Sequence, residues 1–495
     1  MKKSIYIISG LVIFTTILFF LLPNREIILI SFVVAILSTS YFLILTFLRS
    51  KYGFGRFKRR TSYSIMILSL IFIVLPFIVG VIAFSLYPPS ISSFFYGTSM
   101  AGFTLTLFYD LLNIPLALHH KRQDEEINKR VLTSYPLITI IVPAYNEEKC
   151  IEKTIETLLE VDYPNKEIIV VDDGSVDRTY EIASRYIKMG LKVLHRENGG
   201  KWAALNYGLF FSKGEIIVVV DADSLVSRVA LREIAKRFQD PNILGLAGNV
   251  KVLNRNNFLT RCQALEYVTD INIAKRAFAV MGSTMVVPGC LGAFRREALL
   301  GTGSFDPDTV TEDFDATLKV LKVGGVVQTS SYASAYTEAP ESLRDLYRQR
   351  LRWYRGTFQS LLKHRNIITT PIFDFLSFIG YPYILLSLIF IPICGIIALI
   401  SGIIASLTGW LINFTQILLL FIFMEFMFSL LAIQLDDEDI KLALYSPLFV
   451  IGYRHLRDVI KLKSLFDVLL KREIRWTKVR RIGRAYEIIK YSKTA

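Results

Sequence analysis

Residues 215–224 read Glu-Ile-Ile-Val-Val-Val-Asp-Ala-Asp-Ser, a run of five β-branched apolar residues followed at once by two carboxylates. Such a run is typical of a strand that is buried on both faces, as in a parallel sheet. Asp221 and Asp223 would project from the same side if the strand continued through them. Paired carboxylates at a strand end are suitable ligands for a divalent cation that also holds a phosphate. An acidic turn after a strand is the alternative interpretation.

The segments upstream of this stretch alternate between strand and helix patterns. Short apolar runs predict strands, and amphipathic runs between them predict helices. The predicted strands are 137–142, 167–171 and 191–194, and the predicted helices are 148–160, 178–189 and 202–211. This alternation predicts a doubly wound parallel sheet.

The composition indicates a polytopic membrane protein that carries a soluble domain. Of the 495 residues, 52% are hydrophobic, which is more than an ordinary soluble enzyme contains. The net charge of +14 raises the alternative of nucleic-acid binding. The Lys and Arg residues lie mainly beside apolar runs, however, which fits a membrane orientation signal better, so we expect no nucleic-acid partner.

Residues 1–120 are predicted to form four transmembrane helices, at 5–22, 27–48, 64–86 and 94–116. The first run lacks the small-residue cleavage site of a signal peptide, so a retained span is favoured over a cleaved one. Five Lys and Arg residues within 51–60 place that loop in the cytoplasm. Four crossings then put residues 121–365 in the cytoplasm, with the protein in the plasma membrane.

Apolar runs resume in residues 366–465, which are predicted to form the C-terminal transmembrane helices. The segments 383–404 and 411–433 are long enough to span a bilayer. The segment 442–460 contains three charged residues and a histidine at 454, 455, 457 and 458, so it either lines a polar cavity or lies partly in the interface. Residues 466–495 form a basic cytoplasmic tail.

Polar clusters follow three of the predicted strands. Tyr145 and Glu147 follow the first strand, Asp173 follows the second, and the Asp221 pair follows the fourth. The carboxyl ends of neighbouring strands meet at one crevice, so these side chains are expected to converge. Two glycines and Lys201 lie just before a predicted helix. Backbone amides at a helix N-terminus, together with a lysine, are suited to binding a phosphate. Each cluster alone is also compatible with an ordinary turn.

Two later clusters have a composition suited to catalysis or binding. Glu312 and Asp313 open a predicted helix, where an acidic residue also simply stabilises the helix N-terminus. Gln349, Arg352 and Trp353 share one face of a predicted helix at 343–362. An amide, a guanidinium and an indole suit a phosphate and a sugar ring. The alternative is an amphipathic helix at a membrane interface.

Four motifs in this order carry a family resemblance: Asp-Asp-Gly-Ser at 172–175, Asp-Ala-Asp at 221–223, Thr-Glu-Asp at 311–313 and Gln-x-x-Arg-Trp at 349–353. The chain resembles the membrane-integrated family 2 glycosyltransferases, the synthases of poly-N-acetylglucosamine, chitin, hyaluronan and cellulose. The resemblance implies an α/β GT-A domain at 121–365, with a mixed, mostly parallel sheet and helices on both faces. It also implies a UDP-sugar donor, a glycan acceptor and inversion at the anomeric carbon.

The resemblance further implies a role for each motif residue. Tyr145, Glu147 and Asp173 would contact the nucleoside, and Lys201 the diphosphate. Asp223 would bind Mg²⁺ or Mn²⁺, with Asp221 facing the donor. Asp313, beside Glu312, would be the general base. Gln349, Arg352 and Trp353 would bind the diphosphate and the terminal sugar of the acceptor.

Three functions are compatible with the sequence. A processive synthase that exports its β-linked polysaccharide through its own spans is favoured. The segment at 454–458 is not plainly a pore helix, so a transferase that adds one sugar to a lipid or short glycan is the alternative. An inactive membrane scaffold is disfavoured because the acidic motifs are intact. The sequence names neither the donor sugar nor any accessory subunit.

Overall fold

Strand β4, Ile216–Val219, is buried along its length and lies inside an eight-stranded sheet. The computed structural model of the chain describes residues 25–52, 59–370, 375–409 and 411–472. The other strands are β1 (Ile138–Ala144), β2 (Lys166–Asp172), β3 (Leu191–His195), β5 (Ser224–Val226), β6 (Ile243–Val252), β7 (Gly292–Arg295) and β8 (Val326–Thr337).

The sheet is parallel in its first half and mixed in its second. Its strand order is β3-β2-β1-β4-β7-β6-β8-β5, and the first four strands in this order are parallel. Strand β7 is antiparallel to both of its neighbours, β6 and β8 are parallel, and β5 is antiparallel to β8. The strand and helix alternation therefore predicted the first half, and the mixed sheet implied by the resemblance is confirmed.

The described residues form two compact units. The membrane unit lies within residues 1–118, 268–277 and 365–472, and the sheet unit lies within 119–267 and 278–364. The N-terminal helices are α1 (Arg25–Tyr52), α2 (Arg59–Ser85) and α3 (Ile91–Asn128). The predicted span at 5–22 lies outside the described residues.

Helices cover both faces of the sheet. The helices of the sheet unit are α4 (Ile151–Glu160), α5 (Thr179–Ser184), α6 (Lys201–Phe211), α7 (Ala230–Phe238), α8 (Phe258–Glu266), α10 (Arg296–Gly301), α11 (Glu312–Lys322) and α12 (Leu343–Lys363), whereas α9 (Ile273–Val280) begins within the membrane unit. Ile155 of α4 and Ile234 of α7 belong to the same buried cluster as Ile140 of β1. On the opposite face, Gly208 of α6 lies against Ile141. Continuous apolar strands are thus buried on both sides.

The C-terminal part of the membrane unit contains α13 (Tyr381–Leu385), α14 (Ile391–Thr408), α15 (Leu411–Leu435), α16 (Ser446–Leu448) and α17 (Arg454–Leu469). Short π-helices at Leu376–Gly380 and Leu386–Phe390 flank α13. In the described part of the chain, five helical stretches are long and apolar enough to cross a membrane: Arg25–Leu48, Ser64–Ser85, Ile91–Asn128, Leu376–Leu407 and Phe414–Leu435. These stretches indicate a membrane protein. Of the basic tail, residues 473–495 lie outside the described residues.

The charged segment at 454–458 lines a cavity inside the membrane unit. The cavity has a volume of about 600 Å³ and mainly apolar walls from α3, α14 and α15, with Arg454 and His455 among the residues that line it. Arg454 is also paired with Glu425 of α15 at 2.7 Å. Two of the four residues thus line a cavity, as the first of the two interpretations expected, but the cavity is mainly apolar and not polar.

Candidate active site

The loops that follow β1 and β2 lie side by side at the carboxyl edge of the sheet. The amide of Asn146 donates to Ser175 Oγ at 2.8 Å, and Asn146 has a left-handed φ of 55°. The two strands pair in parallel register up to their last residues. The structure therefore places Tyr145 and Glu147 beside the loop that carries Asp173, as the strand ends predicted.

Asp173 is held by hydrogen bonds from the loop that follows β3. Its carboxylate accepts hydrogen bonds from Arg196 Nη1 at 3.0 Å, from the amide of Gly199 at 3.1 Å and from the amide of Gly200 at 2.8 Å. These glycine amides were expected to bind a phosphate. In the structure they donate instead to the Asp173 carboxylate. Arg196 is a site residue that the sequence did not identify.

Asp221 and Asp223 lie in a tight turn between β4 and β5. Strand β4 ends at Val219, and the amide of Ser224 donates to the carbonyl oxygen of Asp221 at 3.0 Å. The strand therefore does not continue through the two carboxylates, and the strand-based reason for placing them on one side was wrong. Asp223 is buried, with 6% of its surface exposed.

Lys201, the first residue of α6, joins the turn to α11. Its Nζ lies 2.7 Å from Asp221 Oδ1 and 2.9 Å from Glu312 Oε1. Burial alone would lower the pKa of Lys201, but these two carboxylates hold it well above its usual value. Burial likewise opposes ionisation of Asp221, yet the Lys201 ammonium lowers the pKa of that carboxyl. The pair is therefore fully charged at neutral pH.

Asp313 has the environment of a general base. Its Oδ2 accepts a hydrogen bond from the amide of Gly289 at 3.3 Å, and its Oδ1 accepts one from the amide of Phe314 at 2.8 Å. Burial raises the pKa of Asp313 to about 6, and the neighbouring Glu312 carboxylate adds to this rise. A carboxylate with a pKa nearer to neutral is a better proton acceptor than an ordinary aspartate.

Gly289 and Cys290, just before β7, complete the cluster. Cys290 Sγ lies 3.4 Å from Asp221 Oδ2, and burial raises the pKa of this thiol above its usual range. A Cβ at position 289 would lie 2.5 Å from Lys201 Nζ and 3.1 Å from Asp221 Oδ1. Neither of these two residues was assigned a role from the sequence. A local signal was present in a pair of small residues directly before an apolar strand.

Helix α12 brings a cation close to the carboxylates. The positive charge of Arg352 helps to lower the pKa of Asp221, after Lys201 and Cys290, and Arg352 makes no ion pair with any described residue. Gln349 is buried, with 5% of its surface exposed, and Trp353 is half-buried. Helix α12 therefore places the Arg352 guanidinium close enough to the acidic turn to affect the charge of Asp221.

The acidic turn has the donor atoms that a hard divalent cation prefers. Asp221 and Asp223 supply carboxylate oxygens, which suit Mg²⁺ or Mn²⁺. Within the described ranges, no three His, Cys, Asp or Glu side chains come together as a metal site. Mg²⁺ is commonly held by only one or two carboxylates, with waters and substrate phosphates as its other ligands. The two carboxylates therefore fit an ion that binds together with a nucleotide.

Comparisons with known proteins agree with the motifs. The model of the family "Glycosyl transferase family 2" matches residues 139–301. A poly-beta-1,6-N-acetyl-D-glucosamine synthase of Staphylococcus aureus (strain COL) is 31% identical over 229 residues, which are 46% of this chain and 56% of that protein. The protein of the same name from Staphylococcus epidermidis is 30% identical over 229 residues, with the same shares of the two chains. The chain thus spans about half the length of the curated relatives it matches.

A solved structure shares the fold. The mannosyltransferase PcManGT from Pyrobaculum calidifontis, in complex with GDP-Man and Mn²⁺, is similar to the chain with a TM-score of 0.52 and 22% sequence identity. The similarity covers 76% of this chain and 99% of that chain. The GT-A fold that the resemblance implied is therefore confirmed. Residues 139–301 are therefore similar to glycosyltransferase family 2 domains.

Proposed function

We propose that the protein is an inverting glycosyltransferase that moves GlcNAc or a related hexose from a UDP-sugar to a growing β-linked polysaccharide. The observation that carries this proposal is the convergence of Asp221, Glu312 and Asp313 around the Lys201 ammonium at the carboxyl edge of a family 2 sheet. Transfer from a nucleotide sugar needs a base for the acceptor and positive charge for the leaving diphosphate. This cluster supplies both.

Donor binding is assigned to the β1 and β2 loops and to the acidic turn. Tyr145, Glu147 and Asp173 would hold the nucleoside, and the position of Asp173 is already fixed by its hydrogen bonds to Arg196 and the glycine loop. Lys201 would contact the diphosphate. An ammonium that is shared between two carboxylates has donors that can be transferred to phosphate oxygens. Donor binding would therefore rearrange the Lys201 contacts.

The leaving group requires compensation of its negative charge. Asp223, with Asp221, would hold Mg²⁺ or Mn²⁺, and such an ion stabilises the charge that develops on the leaving UDP. Arg352, which makes no ion pair with a described residue, would add a charge-assisted hydrogen bond to the same diphosphate. Its effect on the pKa of Asp221 supports this assignment.

The chemical step follows from the position of Asp313. Its ionised carboxylate would take the proton from an acceptor hydroxyl as the hydroxyl oxygen attacks C1 of the donor sugar. The bond between C1 and the diphosphate oxygen breaks on the opposite side, so the configuration at C1 inverts and UDP leaves. Glu312 would act through its neighbours, since it pairs with Lys201 and raises the pKa of Asp313.

The acceptor side and the membrane complete the proposal. Gln349 and Trp353 would bind the terminal sugar, because an indole stacks on the apolar face of a sugar ring. The product would pass through the spans of the same chain, with the domain at 121–365 in the cytoplasm and the protein in the plasma membrane. The apolar helices and the similarity to a named polysaccharide synthase support a processive enzyme.

One observation favours the second candidate function, a single addition to a lipid-linked acceptor. The cavity of the membrane unit is mainly apolar, with Phe95, Phe103 and Phe421 among its lining residues. Apolar cavities of this kind disfavour water and accept hydrocarbon. Such a cavity fits a lipid chain better than a hydrated polysaccharide.

Product analysis separates these candidates. Purified protein in nanodiscs would be incubated with a panel of UDP-sugars, with UDP release measured and the product sized by mass spectrometry. A ladder of long products is expected with UDP-GlcNAc, and a single addition would establish the second candidate instead. Absence of UDP release with every UDP-sugar would refute both and leave the scaffold. The Asp313→Asn variant is the matched inactive control.

A further inference from the structure

Arg350 is the largest side chain that is completely buried among the described residues. It lies on α12 between Gln349 and Arg352, which are both assigned to substrate binding. A buried guanidinium destabilises the fold unless it is paired and hydrogen-bonded. The side chains that contact Arg350 therefore indicate which role this buried charge has.

The guanidinium of Arg350 contacts three side chains at once. Its Nη2 donates to Glu266 Oε2 at 2.7 Å, and its Nη1 donates to Gln349 Oε1 at 2.7 Å. Its central carbon lies 4.2 Å from the ring centroid of Trp353. One planar group therefore joins a buried carboxylate to two residues of the Gln-x-x-Arg-Trp motif, a geometry that lysine cannot reproduce.

The contact with Gln349 fixes which end of its amide is available to a ligand. The amide oxygen accepts the hydrogen bond from Arg350, whereas the amide nitrogen makes no hydrogen bond to any described residue. The terminal torsion of a glutamine is otherwise broad, so a free amide presents either end. Gln349 is therefore held as a donor, which suits the oxygens of a phosphate or a sugar.

The contact with Trp353 fixes its indole in the same way. A guanidinium over the ring is attracted by the negative charge of the π face. One face of the indole is then covered by Arg350, so a sugar can stack only on the other. The Arg350 side chain alone therefore sets the distance between the Gln349 amide and the Trp353 indole.

Glu266 provides a rigid anchor for this guanidinium. It is the last residue of α8 and is 3% exposed. Helix α8 is tied to the segment that leads into α12, because Gln263 Nε2 donates to the carbonyl oxygen of Pro340 at 2.8 Å. Asn257 Nδ2 donates to the carbonyl oxygen of Glu341 at 3.2 Å. The carboxylate thus lies at the end of a helix that is hydrogen-bonded to the segment preceding α12.

We propose that Glu266 and Arg350 are positioning residues that hold the Gln349 amide as a donor and one face of the Trp353 indole for the acceptor sugar. This inference rests on the proposed function in that it takes Gln349 and Trp353 to bind substrate. It adds two residues that touch no substrate themselves. Their effect is exerted on the acceptor side and leaves donor binding intact.

The test uses a double variant, because each single neutralisation leaves a buried charge without its partner and destabilises the fold. Glu266→Gln combined with Arg350→Met removes both charges and keeps the side-chain volumes. The matched control is Asp124→Asn with Arg237→Met. This control removes another buried ion pair of the sheet unit, and neither residue is paired with a described residue of α12. Both proteins are studied as the full chain in nanodiscs.

The double variant is expected to unfold cooperatively at a Tm close to that of the control. Its KM for the UDP-sugar should stay near that of wild type, while kcat falls about a hundredfold, the effect of displacing a binding group by about 1 Å. The KM for a β-linked GlcNAc oligosaccharide should rise. A folded double variant with wild-type kcat and acceptor KM would overturn the inference.

A second readout separates this inference from the proposed function. The chain has four tryptophans, so replacing the other three with Phe leaves Trp353 as the only indole. Its emission should shift and its anisotropy should fall in the double variant but not in the control. Should wild type turn over no UDP-sugar, the proposed function fails, and the emission alone decides whether Arg350 holds the ring. Unchanged emission overturns the inference.

Discussion

Asp313 ionises at a higher pH than an ordinary aspartate because burial and the adjacent Glu312 carboxylate both disfavour its charged form. A general base acts when ionised, so activity should be lost as the pH falls through the raised value. We expect log kcat/KM to rise with pH up to about 6 and then level. The measurement is a pH profile of UDP release.

Glu312→Gln provides the internal check on this pH profile. It removes the like charge beside Asp313, so the acidic limb should move to lower pH. It also removes a partner of Lys201, so the maximal rate should fall. An acidic limb near pH 3.8 in wild type, the ordinary value for aspartate, would contradict the assignment of Asp313 as the base.

Gly289 is the residue at which space is most restricted around the carboxylates. In Gly289→Ala the new methyl group would lie 2.5 Å from Lys201 Nζ and 3.1 Å from Asp221 Oδ1, so the ion pair must shift. We expect kcat to fall by about a hundredfold, as for other small displacements in an active site, with the Tm nearly unchanged. Steady-state kinetics and thermal unfolding check this.

Gly301→Ala is the matched control for this substitution. A Cβ at position 301 meets nothing within 4 Å, and the residue lies in helix α10 of the same unit. It should keep wild-type kinetics and gain a little stability, since alanine favours helix over glycine. If Gly289→Ala were as active as this control, the close approach would have no bearing on turnover.

Single residues show where sequence reasoning ends. The carboxylates of Asp221, Asp223 and Asp313 were identified from residue type and position after a strand or before a helix, and the structure places Asp221 and Asp313 in one charged cluster. Arg196, Cys290 and Arg350 were not identified. Their contacts join segments that are distant in sequence, and no local pattern encodes such pairs.

At the scale of elements, the apolar runs predicted the strands well because burial on both faces leaves a continuous signal. The predicted helix at 178–189 was less accurate. It is observed as α5, Thr179–Ser184, followed by a 3-10 turn at Ile187–Met189. The turn after β4 was only the alternative interpretation of the sequence, since its hydrogen bond from Ser224 to Asp221 depends on where β5 pairs rather than on local sequence.

Helices α11 and α12 are joined by an ion-pair cluster around Asp315. This carboxylate is fully buried and lies 2.9 Å from His364 Nε2 and 3.1 Å from Lys363 Nζ, at the end of α12. Asp315→Asn should destabilise the fold by about 2–4 kcal/mol and lower kcat, because α12 carries Gln349 and α11 carries Asp313. Urea unfolding and kinetics measure the two effects.

The pH dependence of this loss has a defined sign. Burial opposes the ionisation of Asp315, but the hydrogen bonds from His364 and Lys363 lower its pKa overall. Its stabilisation is therefore present above pH 3.8 and is lost as the pH falls through the lower folded value. The difference between wild type and Asp315→Asn should shrink in acid.

A surface ion pair provides the comparison for Asp315. Glu181 of α5 and Arg185, which follows this helix, lie 2.6 Å apart, with 60% and 54% of their side chains exposed. Glu181→Gln should leave the urea midpoint of unfolding unchanged, because water screens such exposed pairs. Equal losses for the two variants would show that burial of the Asp315 cluster adds nothing.

At the scale of the whole molecule, the chain combines apolar membrane-helix segments with the segments of an α/β domain. The apolar helices and the parallel half of the sheet were both recognisable from composition and periodicity, since each has its own hydrophobic period. The boundaries of the two units were not recognisable. Residues 268–277 belong to the membrane unit although they lie between segments of the sheet unit. There, Arg276 is paired with Asp436 at 2.5 Å.

This division of the chain gives a prediction about where the product accumulates. UDP-sugars do not cross a bilayer because they are charged. When the protein is reconstituted into proteoliposomes, only those molecules whose sheet unit faces the outer solution can use a donor that is added to that solution. A processive exporter would release its polymer into the lumen. We expect most of the radiolabelled product to resist an added glycan hydrolase until detergent opens the vesicles.

The controls decide between export and simple synthesis at the membrane. Product that is mixed with preformed vesicles must be digested without detergent, and Asp313→Asn vesicles must form none. Complete digestion of the newly made product before detergent is added would remove export from the proposal while leaving sugar transfer intact. A short product that partitions with the lipid would instead favour the apolar cavity as the site of a lipid-linked acceptor.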